Sequence, residues 1–151
     1  MTKTELLRKY LVEETKEFTA EELETEEFTE SEWDTLEIAG REYLVCTEKE
    51  ADEKAAEDIK NSLWAFNANF ILDHSKLNGY NDATVKAFQQ MQESLCENAN
   101  ELVSAIIEDI DEFIEDAISS DGRAHFLSTY DDEENETEDD NGETFYIYRL
   151  N

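Results

Sequence analysis

The sequence predicts a single α+β domain. Three observations carry that reading. The chain has 151 residues, the usual size of one domain with its own core. Period-two patterns near residue 40 and at the C-terminus enclose a long stretch of helical periodicity. No repeat and no Pro-rich or Gly/Ser-rich linker offers a boundary. The apolar content of 39%, with eight Phe, six Tyr and two Trp, is enough for a core.

The elements follow in chain order. Leu6, Leu7, Tyr10 and Leu11 recur at helical spacing and predict a helix over residues 4–16. Residues 17–40 hold ten acids and no Lys or Arg, with Phe18, Leu23, Phe28 and Trp33 five apart. That spacing suits neither helix nor strand. It reads as a short helix from Thr19 followed by an irregular arm held by its aromatics, so residues 1–34 form an N-terminal arm. Leu36-Glu37-Ile38 and Tyr43-Leu44-Val45-Cys46 flank Ala39-Gly40-Arg41, the pattern of a β-hairpin. Thr47-Glu48-Lys49-Glu50 is a capping box, in which the Thr hydroxyl and the third-position Glu satisfy free amides at a helix start. That helix is expected to run through Phe66 and break near Asn67, with Asn81 or Asp82 capping the next one.

From Val85 the apolar positions Phe88, Met91, Leu95, Ala99, Leu102, Ile106, Ile110, Phe113 and Ala117 follow at steps of three or four. The stripe predicts one long helix of about 36 residues, ended by Gly122, with Asn98 and Asn100 as possible break points. Residues 124–130 and 144–150 alternate apolar with polar and read as a closing strand pair. Between them, residues 131–143 carry nine acids in 13 positions. They read as a flexible loop whose acidic centre the fold should tolerate losing.

Charge limits the function. Forty-one acids against 12 bases leave a net charge of -29, far beyond the magnitude of about 2 to 8 that solubility asks of a small domain. Such charge opposes compaction, and it repels nucleic acid and anionic membranes as direct partners. A halophile's coat is a poor match, since Glu outnumbers Asp about two to one. No signal peptide or membrane-length apolar run is visible. Cys46 and Cys96 form no CxxC motif and read as reduced, buried thiols of a cytoplasmic protein.

Glu108, Asp109, Asp111, Glu112, Glu115 and Asp116 place six carboxylates in nine residues, opposite the apolar stripe. As helix that is one charge per roughly 2 Å, against one per about 1.7 Å of axis in duplex DNA. Residues 87–122 contain no base, so the like-charge pairs at i+3 and i+4 have no intrahelical relief. Glu97 and Glu101 extend the face. Asp131, Asp132, Glu133, Glu134, Glu136, Glu138, Asp139 and Asp140 add a mobile anionic arm. These sixteen residues are the candidate contacts for a basic protein partner.

Catalysis is not expected. Asp73-His74-Ser75 has a triad's letters, but neighbours in sequence do not generally point at one another as a triad requires. Arg123, isolated among acids, is expected in a structural ion pair, with His125 half-exposed. No cofactor is implied, and no metal site, since Gly122 and Gly142 miss the EF-hand spacing. Oligomeric state, monomer or homodimer, is left open.

In its carboxylate-dense helix and near-absence of bases over half its length, the chain resembles the DNA-mimic proteins that bacteriophages and mobile elements direct against restriction and CRISPR nucleases. Residues 43–66 and 120–130 also look like small phage-encoded proteins. The resemblance implies an anti-restriction or anti-CRISPR inhibitor acting in the bacterial cytoplasm, with carboxylates in place of phosphates at a basic channel. The alternative is an acidic chaperone or regulator for a basic partner that is not a nuclease.

Overall fold

The computed structural model describes residues 1–31 and 34–151; Trp33, expected to help hold the N-terminal arm, lies outside them. The fold is α+β, and the described strands Thr29–Glu30 (β1), Thr35–Ile38 (β2), Arg41–Thr47 (β3), Asn135–Glu138 (β4) and Thr144–Arg149 (β5) form one antiparallel sheet in the order β1-β2-β3-β5-β4. Contacts gather into two compact units. One, the sheet unit, comprises residues 1–55 and 123–151, and the other, the helical unit, residues 56–122.

The sheet unit begins with helix α1 (Lys3–Lys9), capped by a Thr2/Glu5 box, and continues as a π-helical turn, Tyr10–Glu14. Leu6, Leu7 and Leu11 are fully buried. Helix α2 (Ala20–Thr25) starts where expected, and there Thr19 and Glu22 form a reciprocal capping box. The aromatics do hold the arm: the Arg8 guanidinium lies 4.9 Å from the Phe28 ring and that of Arg41 5.0 Å from Phe18. Strand β1 is only Thr29–Glu30. Strands β2 (Thr35–Ile38) and β3 (Arg41–Thr47) form the expected hairpin, with Ile38 opposite Arg41. Ala39 and Gly40 have φ of 51° and 72°, the pair of positive values that a type I′ turn needs and that matches strand twist.

One face of the sheet, with Leu36, Ile38, Tyr43, Val45, Phe145 and Ile147, packs on Leu6, Leu7, Leu11 and Leu23. The opposite face carries Leu44, Cys46 and Tyr148, all buried. Helix α3 (Glu48–Asn61) begins with the Thr47/Glu50 capping box that the sequence predicts.

The C-terminal strand pair differs from expectation. Residues 124–130 are not a strand, because Arg123–Leu127 forms helix α8, whose turn is continued by the Ser128 amide bonding Ala124. The partner of β5 (Thr144–Arg149) is β4 (Asn135–Glu138), within the run read as a flexible loop. Thr137 is buried and donates to Glu14 at 2.7 Å, Asn135 Nδ2 reaches the Ile147 carbonyl, and Asp139 accepts from the amides of Asn141 and Glu143 to shape the turn.

In the helical unit a 3-10 turn, Leu63–Ala65, leads to α4 (Ala68–Asp73), capped by Asn67. Asn81 caps α5 (Asp82–Leu95). The single long acidic helix is not formed. Its span divides into α5, a 3-10 turn at Cys96–Ala99, α6 (Asn100–Ile106) and α7 (Ile110–Asp121). Cys96 has φ of 48°, and it is exposed, not buried as expected. Side chains bond where the helix would have continued. Asn100 donates to the Lys60 carbonyl and accepts from the Trp64 amide, while Gln92 donates to the Trp64 and Phe66 carbonyls. At the second break Ile107 turns extended and bridges Ser75. No described helix is long and apolar enough to cross a membrane.

Candidate functional site

The acidic cluster sits on α7 and the residues that lead into it. Phe113, Ile114 and Ala117 are buried, while Glu108, Asp109, Asp111, Glu112, Glu115 and Asp116 are all exposed. Local structure explains part of this arrangement. Asp109 is the N-cap, its Oδ1 accepting from the amides of Asp111 at 3.0 Å and Glu112 at 3.1 Å. Asp111 and Glu112 occupy the first turn, where the helix dipole favours negative charge by about 0.3 to 1 kcal/mol each. The dipole therefore offsets some of the repulsion inferred from i+3 and i+4 spacing.

Asp116 is engaged as well. Its Oδ2 lies 2.7 Å from His74 Nε2, and His74 Nδ1 lies 2.8 Å from the Phe70 carbonyl oxygen. A carbonyl and a carboxylate can only accept, so both ring nitrogens donate and His74 is an imidazolium when both bonds are made. Burial lowers its pKa, but the Phe70 and Asp116 bonds and nearby Glu112 outweigh burial and raise it. The ring packs edge-on against Phe113 at 5.2 Å. His74 therefore belongs to no triad. Asp73 accepts from the Tyr80 hydroxyl, and Ser75 donates to the Leu72 carbonyl.

Among the described residues no ion pair includes Glu108, Asp111, Glu112 or Glu115, and of these Glu112 lies near enough to His74 to favour its charged form. Glu97 and Glu101 are exposed too, but they lie in the 3-10 turn and α6, on the far side of the break at Ile107. They do not continue the same helical face.

The second candidate group lies in the sheet unit, and several of its acids hold structure. Arg123 forms a two-pronged pair with Glu134 at 3.0 Å for each prong, pairs with Asp52 at 2.9 Å, and stacks 4.4 Å over Tyr146. Burial pushes the Glu134 carboxyl up, and its bonds to Arg123 and Tyr148 prevail and hold it below the usual range. The ion pair expected at Arg123 is present. Asp131 accepts from Ser128 Oγ and the Glu133 amide. Asp139 shapes the β4–β5 turn, and His125, exposed, lies 3.8 Å from Asp132. Glu133, Glu136, Glu138 and Asp140 remain as solvent-facing carboxylates, with Glu136 and Glu138 on an edge strand, where charge also discourages strand addition.

Among the described residues no group of three or more His, Cys, Asp or Glu side chains is arranged to hold a metal ion. Sequence reasoning missed the His74–Asp116 pair, since nothing in the spacing of residues 42 apart marks it. No protein-family model, curated protein or solved structure matches this chain.

Proposed function

We propose that the protein is an inhibitor that mimics DNA, presenting carboxylates to the basic nucleic-acid channel of a bacterial defence nuclease or another DNA-binding protein. The observation that carries this reading is the exposed, unpaired set Glu108, Asp111, Glu112 and Glu115 on and beside one rigid helix. Each would take a charge-assisted bond from a partner's Lys or Arg, as a phosphate oxygen does. A second reading, an acidic chaperone or regulator for some other basic protein, is favoured by the break at Ile107. That break interrupts the continuous stripe a duplex-shaped surface would use, whereas a chaperone needs only a negative field.

Competition separates the two. Immobilised protein should capture a nucleic-acid-binding protein from bacterial lysate, and duplex DNA should displace it. Changing Glu108, Glu112 and Glu115 to Gln and Asp111 to Asn leaves the Asp109 cap intact and should weaken capture by well over tenfold, since each lost charge-assisted bond accounts for about 1.5 kcal/mol or more. Capture that DNA cannot displace points to the chaperone reading. Undiminished capture by the variant removes α7 from the interface.

A further inference from the structure

The acidic face of α7 already holds one titratable base of its own. The His74 backbone is fixed beside it, since its carbonyl accepts from the Glu108 amide at 2.9 Å and Ser75 bridges Ile107. The ring reaches the half-exposed Asp116, while only 14% of the His74 side chain is accessible. Three elements surround that ring. From α4 come the Phe70 carbonyl and ring, with Asp73 held by the Tyr80 hydroxyl. From α7 come Phe113, Asp116 and, one turn before it, Glu112. The segment before α7 supplies the Glu108 amide, and Lys76, two residues beyond His74, donates to the Ala105 carbonyl at 3.2 Å.

His74 differs from an ordinary ion-pair partner in one respect. Lys and Arg stay charged near neutral pH, whereas an imidazole gives up its proton there. Once neutral, the ring has one N–H for two acceptors, the Phe70 carbonyl and Asp116. Whichever bond is lost, the face gains one negative charge and Asp116 no longer opposes a cation. Burial lowers the His74 pKa, but the Phe70 and Asp116 bonds and Glu112 raise it above the ordinary 6.5. The change therefore falls above the range in which carboxylates titrate.

The effect on a basic partner has a definite sign. A Lys or Arg that contacts Glu112 or Asp116 meets the imidazolium as a like charge and as a competitor for the same oxygens. The neutral ring is neither. One unit charge about 6 Å away changes an affinity about threefold even at the dielectric constant of water, and more where water is excluded. Linkage is reciprocal, so a cation that prefers the neutral ring must draw its proton off.

We propose that His74 is an internal, proton-controlled stand-in for the partner's cation, holding Asp116 when charged and yielding it when neutral, so that capture of a basic partner is coupled to release of a proton. The proposal rests on the reading above that the partner is a basic protein, and it adds a regulation to that site: affinity rises with pH. No contact between the partner and the covered ring is needed, because the exposed acids make the contact and the ring acts through its charge.

The test uses the full chain and, as probe, hexa-arginine acetylated and amidated at its ends, which has no group that titrates between about pH 5 and 9. Both imidazoles are followed by NMR with and without saturating peptide, and affinity is measured by calorimetry at constant ionic strength. His125, exposed in the sheet unit near Asp132, is the internal control for a peptide that only gathers in the general negative field. Binding should lower the His74 pKa by at least about 0.5 and that of His125 by less, and it should tighten at least about threefold between about pH 6 and pH 9. His74→Gln keeps a donor for Asp116 without a titrating charge and should lose most of that step. Asp116→Asn leaves the ring in place and should move the step to lower pH. A full step that survives His74→Gln, or an equal fall at both histidines, overturns the proposal. Amide shifts at residues 108–116 with an unchanged His74 pKa overturn the coupling and leave the carboxylate reading standing, whereas residues 108–116 left unperturbed by the peptide overturn both.

Discussion

His74 shows how a single residue can be read wrongly from its neighbours in sequence. Its ring is held between Phe70 and Phe113 and bonded to Asp116, which lies on another helix. Because the folded-state pKa lies above the unfolded value, the charged pair contributes stability that is complete below about pH 6.5 and lost as pH rises through the folded pKa. Asp116 is half-exposed, with 51% of its side chain accessible, so solvent screening keeps the contribution to about 1 kcal/mol. Asp116→Asn should therefore melt earlier than the native chain near pH 6, and the two should converge by pH 9. Melts across that range, with the His74 pKa read by NMR, check it. A gap that does not change with pH would mean that Asp116 acts through packing alone.

Elements were legible where a local rule decides them. The helix start at Thr19, the Thr47 capping box, the Asn81 cap, the Ala39-Gly40 turn and the Gly122 stop all stand where their residues predict. Apolar periodicity did less well. The stripe from Val85 to Ala117 is unbroken in sequence, yet in and just after α6 the buried positions are Val103 and Ile107, off the stripe, while the stripe's Leu102 is 47% exposed. The break after Leu95 shifts the phase, and the Gln92 and Asn100 side-chain bonds that hold it are tertiary, invisible to a periodicity argument. Strand β4 was hidden for the opposite reason. Asn-Glu-Thr-Glu has no apolar residue and little strand propensity, and its inward positions are small polar groups with partners supplied by other elements. The acidic candidates could be read from sequence as residues, but their capping and ion-pair roles could not. The strand also reverses the expectation that this run is dispensable. Removing residues 135–138 should cost the cooperative melt, because it exposes β5 and orphans Glu14. Glu136→Gln with Glu138→Gln should leave melting within about 0.5 kcal/mol of the native value, since both side chains face solvent. Circular dichroism melts of the two variants decide the matter. A deletion that melts like the native protein would return the run to the status of a loop.

At the scale of the whole molecule, the charge of -29 acts on folding and on binding with opposite signs. Both units share it: residues 56–122 hold 14 acids against Lys60, Lys76 and Lys86, and the rest hold 27 against nine bases. Within the folded chain like charges are closer together than in the unfolded one, so their repulsion favours unfolding. Added salt shortens the screening length from about 30 Å at 0.01 M to about 10 Å at 0.1 M and relieves that repulsion. The same screening weakens attraction to a cationic partner and removes the gain from released counterions. Raising salt from about 20 to 300 mM should therefore stabilise the free protein by at least about 1 kcal/mol, roughly 2 to 4 °C in Tm at this chain length. Over about 50 to 300 mM the affinity for a captured partner should fall at least tenfold, since four charge contacts at a slope near -0.9 each predict more than that. A purely structural role for the acids predicts the first change without the second, and a hydrophobic interface predicts an affinity that moves less than threefold. Melting and binding measured on one preparation across the same salt series tell the three apart, and the carboxylate reading requires the two curves to run in opposite directions.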